Sequence, residues 1–401
     1  MNDAAIEESA SGLGISGAGC LARARGLIPM LRAAASRIEE NCELPRDVLN
    51  ALHGAGLFRM LLPRAVGGSE LKPSEYARCI EAIAMGDASV AWCVNQASGC
   101  SMAAAYLGPA VAHAVWGDAH AVLAWGQGPG AKAIRAEGGW RVTGTWSFAS
   151  GSRHATWLGA LSPCFHADGS PVLHSDGRAW DRTLLFPRHL AAIEDVWRVM
   201  GLRGTGSDSF TVADLFVDDA HSVTRESPDE RRESGGLYRF QAMQLYAAGF
   251  SCVALGTGRA MLDSVIDLAK GKSQAWSKDR LRDNHAVQSV IGYWDAALKA
   301  ARAGLFNVLD EAWADVERTG GLSLESRMAI RQATTYAIHI ARDAANHAFH
   351  EAGSTAIFAD RPFERRLRDV NSVAQHLQGR RTHFETVGSW LLGGDPDTRW
   401  L

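Results

Sequence analysis

No apolar run in the chain approaches the roughly 20 residues needed to cross a bilayer, so no membrane span is expected. Met1 to Cys20 is small and acidic and has no basic stretch leading into an apolar one. A secretory signal is therefore not expected, and the chain reads as cytoplasmic. Charge of one sign is also missing: 41 Lys plus Arg stand against 44 Asp plus Glu, a net charge of −3. That balance offers nothing to attract nucleic acid or an anionic membrane. Seven cysteines are scattered, odd in number and without C-x-x-C spacing, which excludes a zinc knuckle or a disulfide framework and suits free thiols in a reducing compartment. The chain has no Walker A, G-x-G-x-x-G or G-x-S-x-G sequence, so a P-loop, a Rossmann site and a serine hydrolase are all unsupported. His347, His350 and Glu351 share helical spacing but lack further ligands at a recognisable distance, and no metal is expected.

What is present falls into three textures, read as an α+β chain. Residues 1–120 are alanine-rich with helical spacing, as in Val48, Leu49, Ala51, Leu52 and Leu57. A helix start is placed at Pro45 and another near Lys72-Pro73-Ser74, and uncharged Ala88–Tyr106 reads as a buried helix. Residues 121–235 carry short stretches such as Trp140–Thr143, Trp157–Leu161, Thr183–Phe186 and Thr211–Val217 between turn residues, which predicts an antiparallel β-sandwich or barrel. The charged run Glu226–Gly236 reads as an exposed linker. Residues 236–401 return to long helical periods, with stripes through Leu255, Leu262 and Val265, through Leu298, Ala301 and Leu305, and through Ile330, Ala337 and Ala341. They predict a four-helix bundle.

Three segments could carry chemistry. Gly144–Ser152 follows a strand and sets small hydroxyl residues beside Trp146 and Phe148, a loop able to bring backbone NH groups and a serine hydroxyl against a planar heterocycle. Met200–Ser207 is glycine-rich, and its NH groups, with Arg203, Thr205 and Ser207, could form an anion nest. Phe363–Val370 is a charge cluster followed by a lone histidine, His376. Taken singly, each fits a plain turn or a solvated helix end as well.

In this order, and together with Leu44-Pro45, Gly56-Leu57, Pro63–Gly68, Gly201-Leu202-Arg203, Ala247-Ala248-Gly249 and Arg368-Asp369, the segments resemble the acyl-CoA dehydrogenase superfamily over nearly the whole chain. Trp146–Gly151 and His376 look like its oxygenase branch, the two-component monooxygenases that receive reduced flavin from a separate reductase. A dehydrogenase of this fold needs a carboxylate base. Neither Asn371–Gly379 nor Ser234–Leu262 contains Asp or Glu, which disfavours that activity.

The resemblance implies a helical domain, a β domain and a bundle. It also implies hydroxylation of a small, aromatic substrate by reduced flavin (FMNH2 or FADH2) and O2 through a flavin C4a-hydroperoxide. The separate NAD(P)H-flavin reductase and a homotetramer follow from it as well. N- or S-oxygenation by the same machinery, or a dehydrogenase with a relocated base, stay open. By the same resemblance Ser150 and the backbone of Ala149 would meet flavin N5, with Ser152 in reserve, and Phe148 would wall the ring. Arg203, Thr205, Ser207 and Arg368 would hold the rest of the cofactor, with Lys278 and Arg280 reaching a flavin phosphate across a subunit boundary. His376 would handle the substrate proton, and Trp92 and Asn95 would line the substrate wall.

Overall fold

A computed structural model of the chain describes residues 15–225, 227–273, 279–398 and 401. It opens with five helices: α1 (Gly17–Asn41), α2 (Arg46–Gly54), α3 (Pro73–Ala84), α4 (Ala88–Ser101) and α5 (Pro109–Trp116). Pro45 caps α2 in extended backbone, and α3 starts on Pro73, whose missing N–H is no loss at a helix's first position. Asp87 caps α4 by accepting from the Val90 N–H at 3.0 Å. Every residue of α4 is buried, which explains why its sequence carries no charge and shows no single apolar stripe.

The sheet follows as β1 (Leu123–Gly126), β2 (Lys132–Ala136), β3 (Gly139–Ala149), β4 (Trp157–Phe165), β5 (Asp181–Pro187), β6 (Ala192–Glu194), β7 (Asp208–Asp218) and β8 (Ser222–Val223). Strand order is β6-β7-β3-β2-β4-β5-β8, with β1 beside β4. The sheet is mixed, where a purely antiparallel one was expected. β4 runs parallel to β1, which faces Trp157–Ala160, and to β2 at Cys164–Phe165. The β2–β3 hairpin and the turn after it form a crossover that returns the chain in the direction of β1, so parallel pairing results. Trp146, Phe210 and Phe186 fill the sheet's own core, with Trp146 stacked on Phe210 at 5.2 Å.

The predicted linker after β8 is tied down. Arg182 clasps Glu230 at 2.7 Å, and the N–H of Arg232 donates to the Ala105 carbonyl. The C-terminal helices are α6 (Ala242–Gly271), α7 (His285–Thr319), α8 (Leu324–Ala352), α9 (Pro362–Gln375) and the short α10 (Thr382–Leu391). Helix α6 is the axis of this half, buried along most of its length and packed on α3, α4, α8 and α9. Its small residues let neighbours approach closely: the Cα of Gly258 faces the Ala341 backbone, where a side chain would not fit. Among the described residues, no helix is long and apolar enough to cross a membrane.

Candidate active site

A cavity of about 510 Å³ lies where α4, α6, the end of α9 and the two loops flanking the sheet converge. Three features build its polar wall. Strand β3 continues to Ala149, because its pairing with β7 holds through Trp146–Phe210 and resumes at Ala149–Asp208. The expected loop at 144–152 is therefore mostly strand, and Trp146 is core rather than wall. A bulge between those pairs puts Phe148 at φ 58°, a conformation that costs a non-glycine residue about 1 kcal/mol. It turns the ring out of the sheet, 64% exposed, to face Trp197 edge-on at 6.1 Å across the cavity rim.

The second element is the 196–207 loop. Leu202 is also left-handed, at φ 55°, and its N–H meets the Asp369 carboxylate at 2.7 Å. Burial, and then the neighbouring Asp87, push the Asp369 carboxyl up to about 7. The Arg368 guanidinium donates to the Met200 carbonyl and pairs with Glu364 and with Glu39 of α1, at 2.7 and 2.6 Å. Arg203 pairs loosely with the same Glu39, at 3.7 Å. The expected roles of these two arginines are thus not where the side chains lie. Both serve to clamp the loop between α1 and α9, because Glu39 compensates their charge there. The loop does not form an open nest either, since Gly204 packs against Ile38 and Ser89.

The third element is a line of hydroxyls. The Trp92 indole N–H donates to Ser150 Oγ at 3.0 Å, Ser150 Oγ meets Ser207 Oγ at 2.8 Å, and Ser207 Oγ meets Thr205 Oγ1 at 2.7 Å. Thr205 Oγ1 donates to the Leu202 carbonyl at 2.8 Å. Trp92, Ser150, Thr205 and Ser207 all line the cavity.

His376 packs beside Trp92, edge-on to its ring at 5.1 Å, and lies 4.5 Å from the Phe250 ring. Its Nδ1 accepts from the Gln378 N–H at 3.3 Å, which leaves the proton of the neutral ring on Nε2. Burial, reinforced by Arg380 and Arg331, lowers the imidazole to about 4. At neutral pH His376 is therefore an uncharged donor, not a poised base.

The remaining expected residues lie elsewhere. Asn95 does not line the cavity: it is fully buried behind it, where the Tyr76 hydroxyl donates to Oδ1, because this face of α4 packs on α3 and on Gly249 of α6. Ser152 is fully buried and donates to the Gly206 carbonyl at 3.2 Å, and the Ala149 carbonyl accepts from the Ser152 N–H. Arg280 is exposed and, among the described residues, its side chain donates to the Lys270 carbonyl at 3.5 Å. Lys278 lies outside the described residues. Sequence reasoning missed Gln96, Trp125, Trp197, Tyr246, Phe250 and Arg380, all of which line the cavity. Gln96, one position on from Asn95, was within reach of a helical count once α4 was read as the wall.

Among the described residues, no Asp or Glu lines the cavity. The indole N–H of Trp125, also in the wall, has no hydrogen-bond partner among the described residues. Ser150 accepts one hydrogen bond and donates one, so one lone pair remains. The wall thus offers an unmet donor and an unmet acceptor among aromatic rings, with glutamine amides and the Arg380 cation also in the lining.

The family model "Acyl-CoA dehydrogenase, N-terminal domain" matches residues 28–111, and "Acyl-CoA dehydrogenase, C-terminal domain" matches residues 248–380. The chain belongs to the acyl-CoA dehydrogenase superfamily. Within it, the chain is 27% identical to the indole-3-acetate monooxygenase of Pseudomonas putida, over 91% of each chain. It is also 27% identical to the oxygenase component of the FADH2-dependent resorcinol hydroxylase of Rhizobium sp., over 93% of this chain and 94% of that one. Two solved structures superpose with a TM-score of 0.88: the 3-HSA hydroxylase from Rhodococcus sp. RHA1, 23% identical over 96% of this chain and 99% of that one, and XiaF from Streptomyces sp. in complex with FADH2 and glycerol, 24% identical over 96% and 98%. At that identity the superpositions speak for the fold.

Proposed function

We propose that the chain is the oxygenase component of a two-component flavin-dependent monooxygenase that hydroxylates a small aromatic compound. The observation that carries the reading is the composition of the cavity wall: a hydroxyl acceptor, a neutral imidazole donor and, among the described residues, no carboxylate. Removing the α-proton of an acyl thioester needs a base that this wall lacks. The named relatives, which act on indole-3-acetate and resorcinol, point the same way.

Ser150, with the Trp125 indole and the Phe148 and Trp197 rings, would hold the flavin. Reduced flavin, when bound, supplies the electrons that split O2, with one oxygen atom going to substrate and the other to water. The chain's own part is position and dryness. Trp92, Tyr246 and Phe250 form an aromatic wall, with Tyr246 and Phe250 stacked at 6.1 Å, that fits a planar substrate and excludes water. His376 Nε2–H donates to oxygen on the substrate or to the oxygen being transferred, and its low proton affinity keeps it a donor.

The reduced flavin would come from a separate NAD(P)H-dependent reductase and could be FMN or FAD. The chain is read as cytoplasmic, and a homotetramer would cover the first part of α7, where only Val287 of residues 285–297 is buried and Tyr293 is 66% exposed. The test adds O2 to protein and anaerobically reduced flavin with indole, resorcinol and simple phenols present. A product carrying one atom from isotopically labelled O2 is expected. Flavin oxidation at the rate of free flavin with no labelled product, or bleaching of bound FAD by an acyl-CoA, would overturn the reading.

A further inference from the structure

The line of hydroxyls behind Ser150 has a direction. Ser150, Ser207 and Thr205 bring one hydrogen each and make three bonds along the line, ending on the Leu202 carbonyl. A carbonyl can only accept, so the Thr205 hydrogen points at Leu202. Thr205 must then accept from Ser207, and Ser207 from Ser150. At the other end the Trp92 indole can only donate, so it takes no hydrogen from Ser150. Every hydrogen is committed away from the cavity, and what Ser150 shows to a ligand is a lone pair.

We infer that Thr205, acting through Ser207, holds Ser150 as an acceptor and thereby makes the cavity selective for reduced over oxidised flavin. The inference rests on the reading above that this cavity takes a flavin with Ser150 at N5. Reduced flavin carries a hydrogen on N5 and can donate it to the Ser150 lone pair. Oxidised flavin has a bare lone pair at N5, and two acceptors then face each other. To satisfy it, either Ser150 alone turns and gives up its bond to Ser207, or all three hydroxyls turn round and Thr205 gives up its bond to Leu202 O. In the second case that carbonyl keeps the Trp197 indole N–H at 3.1 Å, and on either route the loss is one hydrogen bond, worth roughly fivefold in affinity. Such a site would release the spent cofactor in favour of fresh reduced flavin, as an enzyme fed by a separate reductase needs. Thr205 is on this account a positioning residue.

The experiment is an anaerobic titration of the full chain with one flavin in both redox states, read by flavin absorbance and fluorescence. It compares wild type, Thr205→Val and Thr205→Ser. Wild type should bind the reduced form tighter. In Thr205→Val, Ser207 is free to donate to Ser150, and oxidised-flavin affinity should rise about fivefold while reduced-flavin affinity stays level or falls. Thr205→Ser should restore the wild-type ratio. Damage to the wall would weaken both forms together, so parallel losses with an unchanged ratio overturn the inference, as does a wild type that binds both forms equally. A wild type that binds neither flavin overturns the functional reading itself. Should Thr205→Val fail to fold, Ser207→Ala asks the same question, because Ser150 then has no acceptor behind it and its hydrogen turns to the cavity.

Discussion

Replacing Gly201 with alanine tests whether the 196–207 loop is held in place by α9. A Cβ at this position would sit 2.6 Å from Ser372 Oγ and closer still to the backbone carbonyl of Arg368. The carbonyl belongs to a helix and cannot swing aside, so the loop must move away. Two bonds anchor it there, Leu202 N–H to the Asp369 carboxylate at 2.7 Å and the Arg368 guanidinium to the Met200 carbonyl. Each involves an ionisable partner, and losing one costs about 1.5–3 kcal/mol. Overpacking that relaxes by breaking them is therefore expected to destabilise the protein by about 3–5 kcal/mol. The same displacement carries off Leu202, whose carbonyl ends the hydroxyl line, so reduced-flavin affinity should fall as well. Chemical denaturation gives the first quantity and anaerobic titration the second. A Gly201→Ala protein within about 0.5 kcal/mol of wild type would refute the argument that loop and helix meet backbone to backbone.

His376→Ala should lower turnover about a hundredfold. With the wild-type imidazole at about 4, the pH–rate profile should show no limb near 6.5; such a limb, abolished by the substitution, would make His376 a base after all. Tyr76→Phe strands the buried Asn95 amide and should cost about 1–3 kcal/mol in a melting or denaturant assay while flavin affinity stays unchanged, since Asn95 is off the cavity. Burial also lowers His154 to about 4, so between pH 6.5 and 4 the unfolded chain binds more protons than the folded one at His154 and His376. Stability should therefore fall on acidification through that window, by up to roughly 3 kcal/mol for each, as denaturant midpoints would report. Asp369, raised to about 7 by burial, works in the opposite sense, because its contribution is lost as pH rises towards 7. Asp369→Asn should keep the Leu202 contact and steepen the acid loss; an unchanged slope would mean that Asp369 titrates normally.

Much of the site was legible as residue types and not as contacts. Ser150, Thr205, Ser207 and His376 stand out along the chain as small hydroxyls and a histidine in glycine-rich or helix-end settings, and the fold brings all four to one cavity. Arg203 and Arg368 looked like cofactor ligands because a cation near a glycine-rich turn often is one. Glu39, more than 160 residues from Arg203 and further from Arg368, claims them both, and no local pattern announces that pairing. Asn95 and Gln96 are adjacent, and only the packing of α3 and α6 on α4 decides which of them faces the cavity.

Local chemistry was enough to establish the order of helices, sheet and helices, since periodicity and turn residues act over a few positions. Beside the resemblance, the sequence also shows no Asp or Glu in 371–379 or 234–262, where the resemblance would put a dehydrogenase base. The parallel placement of β1 and β2 against β4, the left-handed turns at Phe148 and Leu202 and the direction of the hydroxyl line came only with the tertiary structure. Each depends on groups far apart in the chain meeting with the right hydrogen-bonding sense. A donor's direction is set by what lies at the end of the line, and here that is the backbone carbonyl of Leu202.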